Sequence, residues 1–399
     1  MKNLNNFPLL NKNILVRVDL NVPVIDGKIK DKTRIIAIKE TIQKLKKEKN
    51  KIFLISHFGR PNGQYSEKFS LKFICKYLAE ELQMNKIHFL ENFEENLVRK
   101  MINNMSGGEI CLFENIRFWP EEEINDLKFA KEISKNFDAY VNEAFSASHR
   151  NHASIVGITN FLPSLAGDKM LSEINNINQF INISKKPNLA IIGGSKISSK
   201  IEILYNLVEH FDAIAIGGAM ANTFLFSQNI KIGKSLYEKD LSEVAKLIIK
   251  KAKKFNCEII LPKDVVCADK IINNMSIRNC DVKNIFPDHM ILDLGNKTSE
   301  IIINYILKSK LVLWNGPLGA FEYKPFHESS IKIANAIDIK TKSQDIISIA
   351  GGGDTISAIK MANAKDGFSY ISTAGGAFLE WLEGKESPGF LALNNSKIN

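Results

Sequence analysis

Four consecutive residues, Gly351, Gly352, Gly353 and Asp354, interrupt an apolar run in IISIAGGGDT at 346–355. An apolar segment that breaks into glycine reads as a buried parallel strand, and Thr355 to Met361 has helical spacing. Where a strand hands over to a helix, backbone N–H groups point outward at the positive end of the helix dipole. Glycines there let a phosphate approach closely. A carboxylate at that place repels an anion unless a cation intervenes, which points to a magnesium ion between Asp354 and a nucleotide tail. The same residues also fit a plain structural corner with Asp354 as an N-cap, and the motif alone does not separate the two.

Arginine usage is the second chemical signal. The chain has seven, Arg17, Arg34, Arg60, Arg99, Arg117, Arg150 and Arg278, among 53 lysines and arginines, and six of the seven lie in the first 150 residues. A guanidinium grips a carboxylate or phosphate with two parallel hydrogen bonds, which a lysine cannot do. An anionic ligand held by the first half is therefore expected. Lys196 and Lys200 are four apart, so on a helix they would share a face and both reach a phosphate chain, although two solvated lysines would look the same.

Elements of the right kind exist to position these groups. Residues 13–18 and 52–55 read as strands, 32–49 as an amphipathic helix, 69–82 as a helix, and 110–113 and 139–141 as strands. This alternation implies a mostly parallel sheet, whose ligands bind beyond the carboxyl ends of its strands. Loops 17–23, 56–61, 114–120 and 142–154 all lie there. They bring Arg17, Asp19, Asn21, His57, Arg60, Arg117, His149, Arg150 and His152 to one face, with Arg34 on the nearby helix. After a helix at 167–183 and a polar break, SKKPN at 184–188, the alternation restarts, so a domain boundary is expected at 184. Strands are expected at 189–192, 213–216, 258–261, 311–313, 346–349 and 370–372, with helices after Ser195 and at 240–255. Several of these strands end in glycine, in IIGGSKISSK, AIGGAM, WNGPLGAFE and IAGGGD. Little side-chain bulk there suits a flat base and a polyphosphate. The spacing matches neither a Walker A loop nor GxGxxG.

Composition narrows the class. At 399 residues the chain exceeds what one core usually spans, so two domains are expected. No apolar run approaches a membrane span and the N-terminus lacks signal-peptide features, so a cytoplasmic protein is expected. The five cysteines (Cys75, Cys111, Cys257, Cys267 and Cys280) lack metal-ligand spacing and read as buried thiols. The net charge of +9 raises a rival reading, a noncatalytic basic protein that binds nucleic acid. Its lysines are scattered along helices with no interleaved aromatics, which fits solvated faces better.

The motifs RVDLNVP (17–23), SHFGRP (56–61), ENIRF (114–118), SHRNHAS (148–154), GGSKISSK (193–200), WNGPLGAFE (314–322), GGGDT (351–355) and STAGGAFLEWLEG (372–384) together resemble the ordered motif set of phosphoglycerate kinases. The resemblance covers nearly the whole chain. It implies an α/β architecture of two doubly wound parallel-sheet (Rossmann-like) domains joined by a helix and hinge. Residues 1–183 with a returning tail at about 385–399 would bind phosphoglycerate, and 184–384 would bind nucleotide. It also implies reversible phosphoryl transfer from 1,3-bisphosphoglycerate to ADP in a cleft closed by hinge bending, by a monomer. By the same resemblance Asp19 and Asn21 hold the substrate hydroxyl and carboxylate region, and Arg34, His57, Arg60, Arg117 and Arg150 surround its anionic groups. Arg34, Lys196 and Lys200 would neutralise the moving phosphoryl group. Gly217, Gly218, Asn315 and Pro317 would line the nucleotide cleft, with Lys200, Gly351, Gly352, Gly353 and Thr355 around the phosphates, Glu322 on the ribose and Asp354 on Mg2+. Hinge positions are expected near Ser184 and in 372–376. Ala374 and Asn296 depart from the family pattern, which usually has glycine and proline there. A kinase of a different small carboxylic acid would keep the second domain and change the first.

Overall fold

The computed structural model describes residues 2–181, 186–372 and 375–396. Contacts divide the chain into two compact units, residues 1–180 with 386–399, and residues 181–385.

In the first unit six strands form one parallel sheet: β1 (Asn13–Arg17), β2 (Lys51–Ile55), β3 (His88–Leu90), β4 (Ile110–Phe113), β5 (Ala139–Asn142) and β6 (Ser164–Ala166). Their spatial order is β3-β4-β2-β1-β5-β6. The chain starts at the centre, winds one way through β2 to β4, and returns to the other side of β1 with β5. The order therefore reverses between β1 and β5, and a crevice opens at the carboxyl ends there. Both faces of the central strands are buried, which is why NILVR and KIFLI read as continuous apolar runs. One face packs Ile14, Val16, Ile52 and Leu54 against Ile35, Ile42, Leu45 and Leu78 of the covering helices. The expected helix at 32–49 is two helices, Thr33–Ala37 and Lys39–Lys47, which meet at Ile38.

The second unit repeats the plan. β7 (Asn188–Ile192), β8 (Ala213–Ile216), β9 (Glu258–Ile260), β13 (Leu311–Asn315), β14 (Ile347–Gly351) and β15 (Tyr370–Ser372) form a parallel sheet in the order β9-β8-β7-β13-β14-β15. Its order reverses between β7 and β13. Trp314, fully buried on β13, anchors the core with Ile191, Ile306, Ile333 and Ile337. Between β9 and β13 the chain inserts an antiparallel sheet, β10 (Asp264–Ala268), β11 (Arg278–Asp281) and β12 (Met290–Leu294), in the order β11-β10-β12. Sequence patterning missed this sheet, although MILDL and DVVCA carry strand-like apolar runs.

Asn296, where the family usually has proline, opens the helix Asn296–Lys308, and its side chain accepts a hydrogen bond from Lys332 at 2.7 Å. Ser184 and Ala374 fall outside the described residues, while of the expected hinge segment 372–376 Ser372 ends β15 and Gly375 opens the helix Gly375–Leu382.

Candidate active site

At the first crevice, the residues after β1, β2 and β5 converge. Asp19 accepts from Arg34 Nη1 at 2.6 and 2.7 Å, from the Asn21 N–H at 3.0 Å and from the Ser146 hydroxyl. Burial opposes its charge. The Arg34 guanidinium and these hydrogen bonds act against burial and keep its carboxyl below the ordinary range. The Asn21 side-chain oxygen accepts from the Gly59 N–H at 2.9 Å, tying the β1 loop to the β2 loop. Arg117, almost fully buried, donates to the Gly59 carbonyl at 2.8 Å and sits 3.3 Å from Glu123. Burial, then Arg150 and Arg17, push it down to about 10, so it stays charged near neutrality. Arg150 is half-buried and Arg60 exposed. Burial and the Arg150 charge push His149 down to about 4.

Arg17 is placed otherwise than its loop position suggests. It is 1% exposed and bonded inside the unit, to Ser154 Oγ at 2.8 Å and His57 Nδ1 at 3.2 Å, so it belongs to the floor of the crevice. The C-terminal tail buttresses the same region. Gly389 donates to the Ser148 carbonyl at 2.9 Å, and the Phe390 ring lies 5.5 Å from that of Phe145, tilted by 31°.

At the second crevice glycines dominate, and most of them are spent on packing loop against loop. A Cβ on Gly193 would stand 2.1 Å from the Pro317 carbonyl oxygen, and one on Gly217 would stand 2.4 Å from Leu318 Cδ2. Gly218, in the left-handed region at φ +66°, would place a Cβ 2.5 Å from the Gly194 carbonyl. Backbone bonds from Gly193 to Asn315 (2.9 Å), Gly217 to Ile192 (3.0 Å) and Gly218 to Leu318 (2.9 Å) close the interlock. The expectation of a bare glycine surface is thus corrected for Gly193 and Gly217, which neighbouring chain covers.

The β14 corner is open. Gly352 (φ +96°) turns the chain from β14 into the helix Gly353–Met361, and a Cβ on Gly353 would meet nothing within 4 Å. The first amides of that helix lack intrahelical acceptors, and Gly353 and Asp354 are exposed. Gly351 is buried against Phe378. Thr355 is buried and accepts from the Gly316 N–H at 2.7 Å, so its hydroxyl braces the β13 loop.

Lys196 and Lys200 do not share a helix face. The helix runs Ile201–His210 and both lysines precede it. Glu238 captures the Ser198 N–H (2.9 Å) and hydroxyl (2.6 Å), which holds that segment in a turn. Lys196 is exposed, whereas Lys200 donates to Asn315, whose amide in turn donates to the Gly351 carbonyl at 2.7 Å. Burial pushes the Lys200 ammonium down to about 8 against the pull of Glu383 and Asp354.

Beside these groups lies a cleft of about 370 Å³, lined by Gly218, Pro317, Glu322 and Asp354. Its apolar walls include Leu236, Pro262, Ile271, Met290 and Phe321, most of them contributed by the antiparallel sheet and its loops. A flat apolar slot ending at an open helix N-terminus has the form a nucleotide requires.

Comparison with known proteins decides the family. The phosphoglycerate kinase family model matches residues 4–385. The chain belongs to the phosphoglycerate kinase family. A phosphoglycerate kinase of Chelativorans sp. (strain BNC1) is 44% identical over 382 residues, covering 96% of each chain. One from Brucella abortus is 42% identical over 378 residues, covering 95% of each. Among solved structures, phosphoglycerate kinase from Coxiella burnetii superposes with a TM-score of 0.91 at 34% identity, covering 99% of each chain. The enzyme from Pyrococcus horikoshii OT3 gives 0.83 at 28%, again covering 99% of each. As a phosphoglycerate kinase the chain is a phosphotransferase with a carboxyl group as acceptor, acting on small-molecule substrates in glycolysis. The fold is the family's two parallel-sheet α/β domains.

The family's nucleotide chemistry generally uses Mg2+. Among the described residues no group of three or more His, Cys, Asp or Glu could hold a metal. An exposed carboxylate at an open helix N-terminus, as at Asp354, is a kind of ligand that suits magnesium, which keeps most of its waters.

Proposed function

We propose that the phosphoryl transfer between 1,3-bisphosphoglycerate and ADP is divided between the two units, with phosphoglycerate at the β1/β5 crevice and nucleotide at the β7/β13 crevice. Residues 1–183 with the tail at about 385–399 form the first binding domain, and 184–384 the second. In the first, Asp19 and Asn21 hold the hydroxyl and carboxylate region and Arg34, His57, Arg60, Arg117 and Arg150 surround the anionic groups. In the second, the base lies in the cleft beside Gly218 and Pro317, which the buried Gly217 and Asn315 back, with Glu322 on the ribose. Lys200 and the corner Gly351–Thr355 serve the phosphates, and Asp354 would hold Mg2+, which supplies charge neutralisation on the phosphate oxygens. Arg34, Lys196 and Lys200 are the proposed catalytic cations.

The observation that carries this reading is the pairing of two unlike crevices in one chain, one rimmed by guanidinium groups, the other glycine-cornered and apolar-walled. The acceptor carboxylate is already ionised at neutral pH, so the reaction needs alignment and charge neutralisation rather than a general base. The depressed basicity of His149 suits that requirement. A coupled assay of ATP formation from 1,3-bisphosphoglycerate and ADP tests the reading, and absence of product with those substrates overturns it. Profiling other acyl phosphates separates a kinase of a different acid. A nucleic-acid-binding protein predicts affinity that falls steeply with salt and survives Arg34→Ala. We further propose a cytoplasmic monomer. No helix among the described residues is long and apolar enough to cross a membrane, and sedimentation at working concentration checks the oligomeric state.

A further inference from the structure

Beneath the first crevice runs a buried polar chain that the proposed roles leave unused. Glu122, with no exposed surface, accepts from the Ser154 N–H at 2.8 Å and the Ser154 hydroxyl at 2.6 Å, and lies 3.5 Å from His152 Nδ1. Burial opposes the Glu122 charge. Hydrogen bonds from His152 and Ser154, with the Arg17 charge, overcome it and keep the carboxyl below its ordinary range. Ser154 Oγ in turn accepts from Arg17 Nε at 2.8 Å. Arg17 also donates to the Val18 carbonyl, and its remaining fork lies 3.2 Å from His57 Nδ1.

A guanidinium has donors only. At a hydrogen bond between Arg17 and His57, the histidine nitrogen must therefore be the acceptor. An imidazole that accepts at Nδ1 is neutral and carries its proton at Nε2. Among the described residues none bonds Nε2. The charged groups acting on His57 are Asp19, Arg17, Arg117 and Arg34, so a second proton would meet three guanidinium groups against one carboxylate. Burial acts in the same direction, with Asp19 alone opposing.

We propose that Arg17, held by Ser154 and Glu122, is a positioning residue that fixes His57 as the neutral Nε2–H tautomer, presenting a hydrogen-bond donor to an anionic oxygen of phosphoglycerate. The proposal rests on the reading that this crevice binds phosphoglycerate. Its consequence is specific: the site gains a donor that neither titrates in the working pH range nor adds a fourth cation to a crowded patch. A conventional cationic histidine would do both.

Nuclear magnetic resonance of the full chain labelled with 15N at histidine tests the tautomer without any substrate, His57 being assigned by loss of its signals in His57→Gln. The expected spectrum shows protonated Nε2 and bare Nδ1, unchanged between pH 5 and 8. A proton on Nδ1, or a doubly protonated ring at pH 6, overturns the proposal. The functional arm uses the double variant Arg17→Met with Glu122→Gln, which removes both buried charges together and so guards against misfolding of a single one. There His57 meets no donor-only cation at Nδ1 and is expected to sample the other tautomer or titrate. The KM for 3-phosphoglycerate should rise about tenfold while the KM for ATP stays within twofold. Equal rises in both KM values, or no change in the first, overturn the positioning role. His57→Gln, which keeps an N–H near the Nε2 position, should lose less affinity for 3-phosphoglycerate than His57→Asn, and the reverse order contradicts the assignment. Complete absence of turnover in the parent chain would instead indict the phosphoglycerate reading and leave the spectrum standing.

Discussion

Asp19 and Arg34 show how a charged pair can be both structural and poised for function. The pair fixes the β1 loop, yet Arg34 retains a third of its side-chain surface and spends only one nitrogen on Asp19, leaving donors for a ligand. Arg34→Ala is expected to lower kcat/KM by ~100- to 1,000-fold, as when one preorganised donor to a developing charge is removed. Steady-state kinetics checks this, and a loss below tenfold would remove Arg34 from the catalytic set. At Lys200 the chemistry is set by burial, which moves its ammonium down to about 8. The cation exists below that value. In the free enzyme kcat/KM for the nucleotide should therefore fall as pH climbs through about 8, and Lys200→Arg should abolish that limb. The linkage has the opposite sign for folding: the unfolded chain binds the extra proton between about 8 and the ordinary lysine value, so this group lets stability rise with pH across that window. Asp354→Ala should weaken the dependence of nucleotide use on magnesium, and an unchanged dependence would count against the metal role.

At the scale of elements, the two crevices arise from one topological fact, a sheet whose winding reverses beside its first strand. Much of this was legible. Continuous apolar runs bounded by polar or glycine-bearing loops gave β1, β2, β4, β5, β7, β8, β13 and β14, and loops after parallel strands were expected to carry the ligands. What patterning could not see was set by contacts distant in sequence. Glu238 delays a helix by holding Ser198, 40 residues away, and so separates Lys196 from Lys200. Ser154 and Glu122 hold Arg17, the last residue of β1, in the interior, whereas patterning grouped it with the loop that follows. Glycines chosen for a ligand and glycines chosen for another backbone look identical as letters. Substitution separates them. Gly351→Ala forces a Cβ within 2.2 Å of Phe378 and should cost ~1–3 kcal/mol of stability. Gly353→Ala meets open space, should leave the melting temperature within a degree or two, and should raise the nucleotide KM roughly tenfold if a phosphate approaches that amide. Calorimetry and kinetics on the two variants read these outcomes directly.

For the whole molecule, an excess of +9 charges does not by itself specify a partner. Many of the lysines lie on exposed helix faces, as Lys250, Lys253 and Lys254 do, whereas five of the seven arginines, Arg17, Arg34, Arg60, Arg117 and Arg150, stand on or under the loops and helix around one crevice. The second unit presents instead an apolar slot and an open helix terminus that carries the exposed carboxylate of Asp354. Each half would recognise a different anion, one by fixed guanidinium forks and one by backbone amides with a metal ion. A crystal structure of the full chain grown with magnesium, a nonhydrolysable ATP analogue and 3-phosphoglycerate tests this division most directly. The base is expected between Pro317 and the Met290 strand, the phosphates at Gly352–Asp354 with magnesium on Asp354, and phosphoglycerate within hydrogen-bond reach of Arg34 and His57. Phosphates bound away from that corner, or phosphoglycerate bound away from those arginines, would contradict it.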